Sequence, residues 1–263
     1  MTEVLEGKQC VLPALRARQR RVQLVMIKQG SAPVRVSEVV EAANAQNIPI
    51  KYVLADELNA MTKGRSHGGV AAICSEKPPF AAEKLFEFCE KLNEPALLLL
   101  LEGTEDAQNL GYTLRSAEAL GAHAVLLKKH VWNFEGAAVS RASSGAFERL
   151  PLAQIENAEK ELLPLKRLGI KFWGGIAGAK RTMFDAKMVT PVLLAIGGER
   201  RGLSGAMREL CDGVFHVPMK AGTSSLSMSH AACLVLGEAM RQRREASLLI
   251  KKSTEAAGES KFE

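Results

Sequence analysis

Three segments in the later part of the chain set residues that can polarise or align a substrate beside glycines that let one approach. The first, DAQNLGYTLRSAEALGA, carries the Asn109 amide and the permanently charged Arg115. Its Leu114, Ala117 and Leu120 share one helical face, which leaves Arg115 elsewhere on the circumference. Read alone, the segment is served by a helix cap at Asn109 and a surface arginine. The second, AIGGERRGLS (195–204), follows an apolar run with Gly197 and Gly198, where backbone can meet a ligand, and with the Glu199 carboxylate. It matches neither GxGxxG nor GxxxxGK[ST], so neither a dinucleotide fold nor a phosphate-binding P-loop is supported. The third, HVPMKAGTSSLSMSHAACLVLGEAMRQRR, reads as a strand ending at Met219, a Gly/Ser/Thr loop and a helix starting near Ser225. Met228, Ala231, Ala232, Val235, Leu236, Ala239 and Met240 follow at helical spacing, and Arg241, Arg243 and Arg244 suit the negative end of that helix. The small Ala231 and Ala232 permit close packing, in a core or at a subunit interface.

The elements that must position these residues alternate. VQLVMIK (22–28) and IPIKYVL (48–54) are expected strands, with helices over 11–20 and 36–47, a small α/β layer. Buried strands are expected at 96–101, 124–127, 171–177, 191–197 and 213–219, with helical patterns between them. That order implies a second α/β domain with a mainly parallel sheet, and such sheets keep ligand sites at the carboxyl ends of their strands. The composition changes at SEKPPF, so residues 1–78 form one expected domain, 79–94 a linker, 95–244 a second domain, and 245–263 a tail polar enough to fray.

Composition excludes several classes. The 263 residues are 47% hydrophobic, enough for true cores rather than disorder. The longest apolar run, 96–101, falls far short of the about 20 residues that span a bilayer. MTEVLEGKQC lacks the pattern of a secretory signal, so a cytoplasmic protein is expected. Cys10, Cys74, Cys89, Cys211 and Cys233 are odd in number and never arranged as CxxC, which argues against disulfides or a zinc site. The formal charge is +6, and residues 1–78 hold a net +4 of it. Arg16, Arg18, Arg20 and Arg21 concentrate that charge in one stretch, as phosphate attraction would require and as a solvated helix end would also show.

Taken together and in order, the segments resemble the SpoU/TrmH family of RNA ribose 2′-O-methyltransferases, part of the SPOUT superfamily. The family's Asn-x-Gly-x-x-x-Arg-x-Ala is present as Asn109, Gly111, Arg115 and Ala117, and its Gly-x-Glu-x-x-Gly-Leu as Gly197, Glu199, Gly202 and Leu203. Its Pro-Met and Ser-Leu-Asn-x-Ser are present as Pro218, Met219, Ser225, Leu226 and Ser229, with Ser227 in the Asn position. RASSGAFERLPL is similar to the family's Ser-x-Gly segment through Ser143, Gly145, Leu150 and Pro151. The first 78 residues look like its ribosomal-protein-like substrate-binding domain, with His67, Gly69, Val70 and Ala72 near the usual ending.

The resemblance implies a small N-terminal α/β RNA-binding domain, then a SPOUT α/β domain with a C-terminal trefoil knot. It implies a homodimer acting on RNA, ribosomal RNA favoured over transfer RNA, with S-adenosylmethionine as cofactor and no metal. Cofactor contacts would fall on Gly197, Val217 and Leu226, with Ile196, Gly198, Met219 and Ser225 beside them. Arg115, Asn109, Glu199 and Ser227 match the catalytic motifs, and Arg16, Arg18, Arg20 and Arg21 would meet RNA. A guanidinium is a poor base, so Arg115 would bind a phosphate and stabilise alkoxide charge, leaving the proton acceptor open. Two departures stand out: Ser227 lacks the reach of the usual amide, and Glu102 replaces the Asp usual before the first motif. Ser227 also motivates a competing reading, a dimeric RNA-binding protein with weakened catalysis. A nucleotide-phosphate enzyme built on GGERRG lacks the P-loop lysine.

Overall fold

The computed structural model describes residues 2–63, 67–104, 106–128, 134–222 and 225–259, with 251–259 described as helix backbone alone. Chain order begins β1 (Thr2–Glu6), α1 (Lys8–Ala17), β2 (Val22–Lys28), α2 (Pro33–Asn44), β3 (Ile50–Val53), α3 (Ala55–Met61) and β4 (Val70–Ser75). A 3-10 turn (Ala82–Lys84) and α4 (Leu85–Glu90) follow, then β5 (Leu97–Glu102), α5 (Ala107–Ala119) and β6 (Ala124–Lys128). Next come α6 (Gly136–Ala142), α7 (Ala146–Arg149), β7 (Leu152–Ile155) and α8 (Ala158–Leu162). The chain closes with β8 (Lys171–Gly175), β9 (Val192–Gly197), α9 (Gly205–Leu210), β10 (Gly213–Phe215) and α10 (Met228–Glu259).

These elements form two compact units. One comprises Met1–Phe80 with Glu105–Arg115 and Val131–Leu152; the other comprises Ala81–Thr104 with Ser116–His130 and Ala153–Glu263. In the first, a four-stranded sheet runs in the order β1-β4-β2-β3, with β4 antiparallel to both β1 and β2 and β3 parallel to β2. The alternation within VQLVMIK explains its two buried faces. Val25 and Ile27 pack with Leu5, Val11, Leu15 and Val39, while Met26 faces Val53, Leu58 and Ala71. α5 meets α6 closely: a Cβ on Gly111 would lie 2.4 Å from that of Ala142, so only glycine fits this motif position.

The second unit is built on a six-stranded sheet in the order β10-β8-β9-β5-β6-β7. Neighbours from β10 through β6 pair in parallel. β9 and, up to its terminal Glu102, β5 are apolar along their length because both faces are covered. From β5 the chain builds outward through β6 and β7, then returns to the other side of β9, so strand order reverses between β5 and β9.

Three expectations at the C-terminal end need correction. The last strand stops at Phe215, not Met219: beyond it the backbone leaves β8, and His216 instead exchanges hydrogen bonds with Arg181 and Met183 at 2.9 Å each. The final helix starts at Met228 rather than near Ser225, and it does not fray after Arg241 but runs to Glu259. The Ala, Glu, Lys and Leu of its second half are strong helix formers, so the segment holds its helix although it is polar overall. Arg243 therefore does not sit at a helix end. It is tied to the carbonyls of Pro95, Ala96, Met188 and Thr190 at 2.6–3.2 Å, anchoring α10 at the starts of β5 and β9. Residues 260–263 of the tail lie outside the described residues.

Candidate active site

The parallel sheet ends in a cavity of about 630 Å³ at the carboxyl ends of β8 and β9. That volume falls within the about 300 to 1,000 Å³ usual for small-ligand sites, and the position is where open α/β sheets hold ligands. Its walls bring together Ile196, Gly197, Gly198, Glu199, Val217, Met219, Ser225 and Leu226, all marked by the sequence. They also include the stretch Gly175 to Gly178 at the end of β8, of which sequence reasoning read 175–177 only as strand and gave Gly178 no role. The glycine cluster GGIAG at that strand end was the available signal.

Glycine shapes the floor by allowing the chain to fold back on itself. A Cβ on Gly197 would sit 2.1 Å from the Gly202 carbonyl carbon, and the Gly202 N–H donates to the Gly198 carbonyl at 2.8 Å. Any side chain at Gly197 would force this loop open. A second device holds the loop to the sheet. Glu102, at the end of β5, accepts from the Lys128 ammonium through one oxygen and from the Ser204 N–H at 2.7 Å through the other. Lys128 also donates to the Ser204 hydroxyl at 3.1 Å, and that hydroxyl caps α9 by accepting from the Met207 N–H. Burial pushes the Glu102 carboxyl up, but Lys128 and the Ser204 N–H and hydroxyl together outweigh it and hold the group below its ordinary value. The glutamate departure is thus the centre of a satisfied clamp.

Ser227 does not line the cavity. Its Oγ hydrogen-bonds His230 Nδ1 at 2.5 Å and Ser229 Oγ at 3.1 Å, and accepts from the His230 N–H at 3.4 Å, the geometry of an N-cap on α10. Thr223 and Ser224, in the loop before it, lie outside the described residues.

Asn109 and Arg115 belong to the first unit, Asn109 on the first turn of α5 and Arg115 on its third. The cap there is Asp106, whose Oδ1 accepts from the Asn109 N–H at 2.6 Å. Asn109 is therefore not the cap, and among the described residues its side-chain amide makes no hydrogen bond. Arg115 is exposed and has no carboxylate partner among the described residues. Both are free to meet a substrate.

The arginine stretch divides. Arg18 and Arg21 are exposed, Arg18 in left-handed backbone at the C-cap of α1, and Arg16 pairs with Glu38 at 2.8 Å on the surface. Arg20, expected to meet RNA, is instead buried. Its guanidinium donates to Glu3 at 2.5 Å, to the Ser75 carbonyl at 3.1 Å and to Glu148 at 3.1 Å. Burial opposes its charge, yet Glu148, Cys74 and Glu3 hold it above its ordinary value. Lys77 is also inward, donating to the Phe147 and Leu150 carbonyls, and burial lowers its pKa to about 8. These two cations fasten the chain around Glu148 to the small sheet and are unavailable to phosphate. Arg65, another contributor to the N-terminal charge, lies outside the described residues.

Among the described residues, no three His, Cys, Asp or Glu side chains gather to hold a metal, and no helix is long and apolar enough to cross a membrane. All five cysteines are free thiols.

A parallel α/β sheet with a glycine-floored cavity at the carboxyl ends of β8 and β9 has the form of a small-ligand site. Residues 96–237 match the SpoU rRNA Methylase family, and residues 4–80 match the domain described as RNA 2′-O ribose methyltransferase substrate binding. The chain belongs to the SpoU rRNA methylase family. It is 34% identical over 217 residues to the 23S rRNA (guanosine-2′-O-)-methyltransferase RlmB of Neisseria meningitidis serogroup B, covering 82% of this chain and 86% of that one. The Escherichia coli K12 protein of the same name is 31% identical, over 92% of this chain and all of its own. Among solved structures, the SpoU methyltransferase AviRb from Streptomyces viridochromogenes in complex with the cofactor AdoMet superposes with a TM-score of 0.75 at 25% identity, covering 92% of this chain and 90% of that one.

Proposed function

We propose that this protein transfers a methyl group from S-adenosylmethionine to a ribose 2′-hydroxyl of RNA, with ribosomal RNA as its substrate. The observation that carries this reading is the glycine-floored cavity, built by the segments that resemble the family's cofactor motifs. The cavity fits the cofactor in kind. Gly197 and Gly198 expose backbone groups to its polar parts, Ile196, Val217 and Leu226 offer an apolar wall to adenine, and Met219 and Ser225 close the rim. When bound, the cofactor supplies a sulfonium methyl open to in-line attack by oxygen.

The chain's own task is alignment and charge. Arg115 binds the phosphate beside the target ribose and stabilises negative charge developing on the 2′-oxygen. Asn109 and Glu199, whose side chains make no hydrogen bond or ion pair among the described residues, orient the nucleotide. Ser227 sets the start of α10, since its hydroxyl is already committed to that helix. The same commitment favours the second reading, an RNA-binding protein with weakened catalysis.

Domain roles follow the same reading: 1–78 for RNA, 79–94 as linker, 95–244 for methyl transfer and 245–263 as tail. A C-terminal trefoil knot and a homodimer are part of the proposal. Exposed Leu234, Met240 and Leu248 along α10 support a partner subunit there, and a cytoplasmic location suits a ribosomal RNA substrate. Mapping 2′-O-methyl groups in RNA from cells with and without the protein tests the function. One ribosomal RNA site should disappear with the protein. An unchanged map, with no calorimetric binding of S-adenosylmethionine, would sink the enzyme reading and leave the RNA-binding one.

A further inference from the structure

The first unit contains a second cavity, of about 580 Å³, that no step above uses. Two helix N-termini open onto it: Lys8 and Gln9 at the start of α1, and Val34 and Arg35 at the start of α2. Neither helix has a side-chain cap or an acidic residue in its first turn, so the positive end of each dipole is not offset from within its own helix. Cations from three elements line the same space: Lys8 of α1, Arg35 of α2 and Arg141 of α6. Lys8 also reaches Glu38, whereas Arg35 has no ion-pair partner among the described residues.

One wall group is of the opposite kind. Glu6 lines the cavity with its side chain 95% buried; one oxygen accepts from the Lys63 N–H at 2.6 Å, while Oε2 accepts no hydrogen bond from the described residues. Arg141 Nη1 stands 3.5 Å from that oxygen, an ion-pair distance without a hydrogen bond. A buried carboxylate oxygen with no donor is costly unless something supplies one. The cavity thus offers several positive groups for an anion and one acceptor for an O–H or N–H, and a nucleotide carries both.

We propose that this cavity holds one nucleotide of the RNA strand, its phosphodiester on Arg35, Lys8, Arg141 and the two helix ends, and one of its hydroxyl or base N–H groups on Glu6. The site rests on the reading that RNA is the substrate and makes it specific. It also assigns Arg141, outside the segment matched as substrate-binding, to RNA recognition.

The test uses the full chain and a labelled mixed-sequence single-stranded RNA 20-mer, read by fluorescence anisotropy across a salt series. Arg35→Ala should weaken binding about fivefold and reduce the slope of log affinity against log salt by about 0.7, the value for one lost single-strand phosphate contact. Val34→Trp, at a position 83% exposed, would obstruct the cavity without altering charge and should weaken binding about tenfold or more. Hydrogen-exchange protection of the four-stranded sheet should match wild type in both variants, which shows that the first unit is folded in each. RNA affinities within twofold of wild type for both variants, or no RNA binding by the wild type, would overturn the site. Loss of RNA affinity in both variants of a protein that methylates nothing would support the site while removing the proposed function.

Discussion

The two units handle ligand-binding chemistry by opposite means. The second encloses its cavity with backbone: glycines fold the loop after β9 tightly, and the Glu102, Lys128 and Ser204 clamp holds that loop from behind. The first depends on charged side chains, some facing solvent and some turned inward to hold the fold. Backbone positions announce themselves in sequence because glycine has few other reasons to cluster at a strand end. Charged positions do not, since one residue type serves both a phosphate and a buried carboxylate.

The largest effect that would sharpen this contrast is Arg20→Ala. Leaving Glu3 and Glu148 without their shared cation should destabilise the first unit by about 3 to 5 kcal/mol, read by hydrogen exchange in the four-stranded sheet. Unchanged protection with weakened RNA binding would return Arg20 to the RNA-facing group. Gly197→Ala is next. Its Cβ would lie 2.1 Å from the Gly202 carbonyl carbon, so the loop must move at a cost of about 1 to 3 kcal/mol, and cofactor affinity should fall while RNA affinity holds.

Glu102→Gln probes the clamp at about 2 kcal/mol. Because the folded carboxyl lies below its ordinary 4.5, its stabilisation is complete above about pH 4.5 and disappears as pH falls through the depressed folded value. Stability curves of wild type and variant should therefore converge in acid; curves that remain parallel would mean that the carboxylate contributes no charge-dependent stability. Smallest is Arg18→Gln with Arg21→Gln, where stability should hold and the RNA salt slope should fall by about 0.7 per lost phosphate contact. No change in slope would leave these exposed cations without an RNA role.

Most strands were legible, VQLVMIK to the residue and the others with an end one to four residues off, because apolar runs such as VQLVMIK and ALLLLL are bounded by polar or turn residues. β1, in contrast, carries the polar sequence TEVLE and becomes a strand only through pairing with β4, some 70 residues later. The second half of α10 was misread because polarity was taken for disorder, although its residues favour helix. Arg20 was indistinguishable from Arg18 and Arg21 because its partner Glu148 is 128 residues away. The cofactor segments were legible from their glycines and their order. The role of Ser227 became clear only once His230 was placed one helical turn beyond it.

The division between charge and backbone is tested most directly at Arg115. The variant Arg115→Ala should lower methyl transfer to ribosomal RNA by about 100-fold to 1,000-fold, as expected for loss of one charge-stabilising group, while its calorimetric affinity for S-adenosylmethionine stays within twofold of wild type. Cofactor affinity falling together with methyl transfer would contradict the account, because the cavity would then depend on a side chain assigned to the substrate.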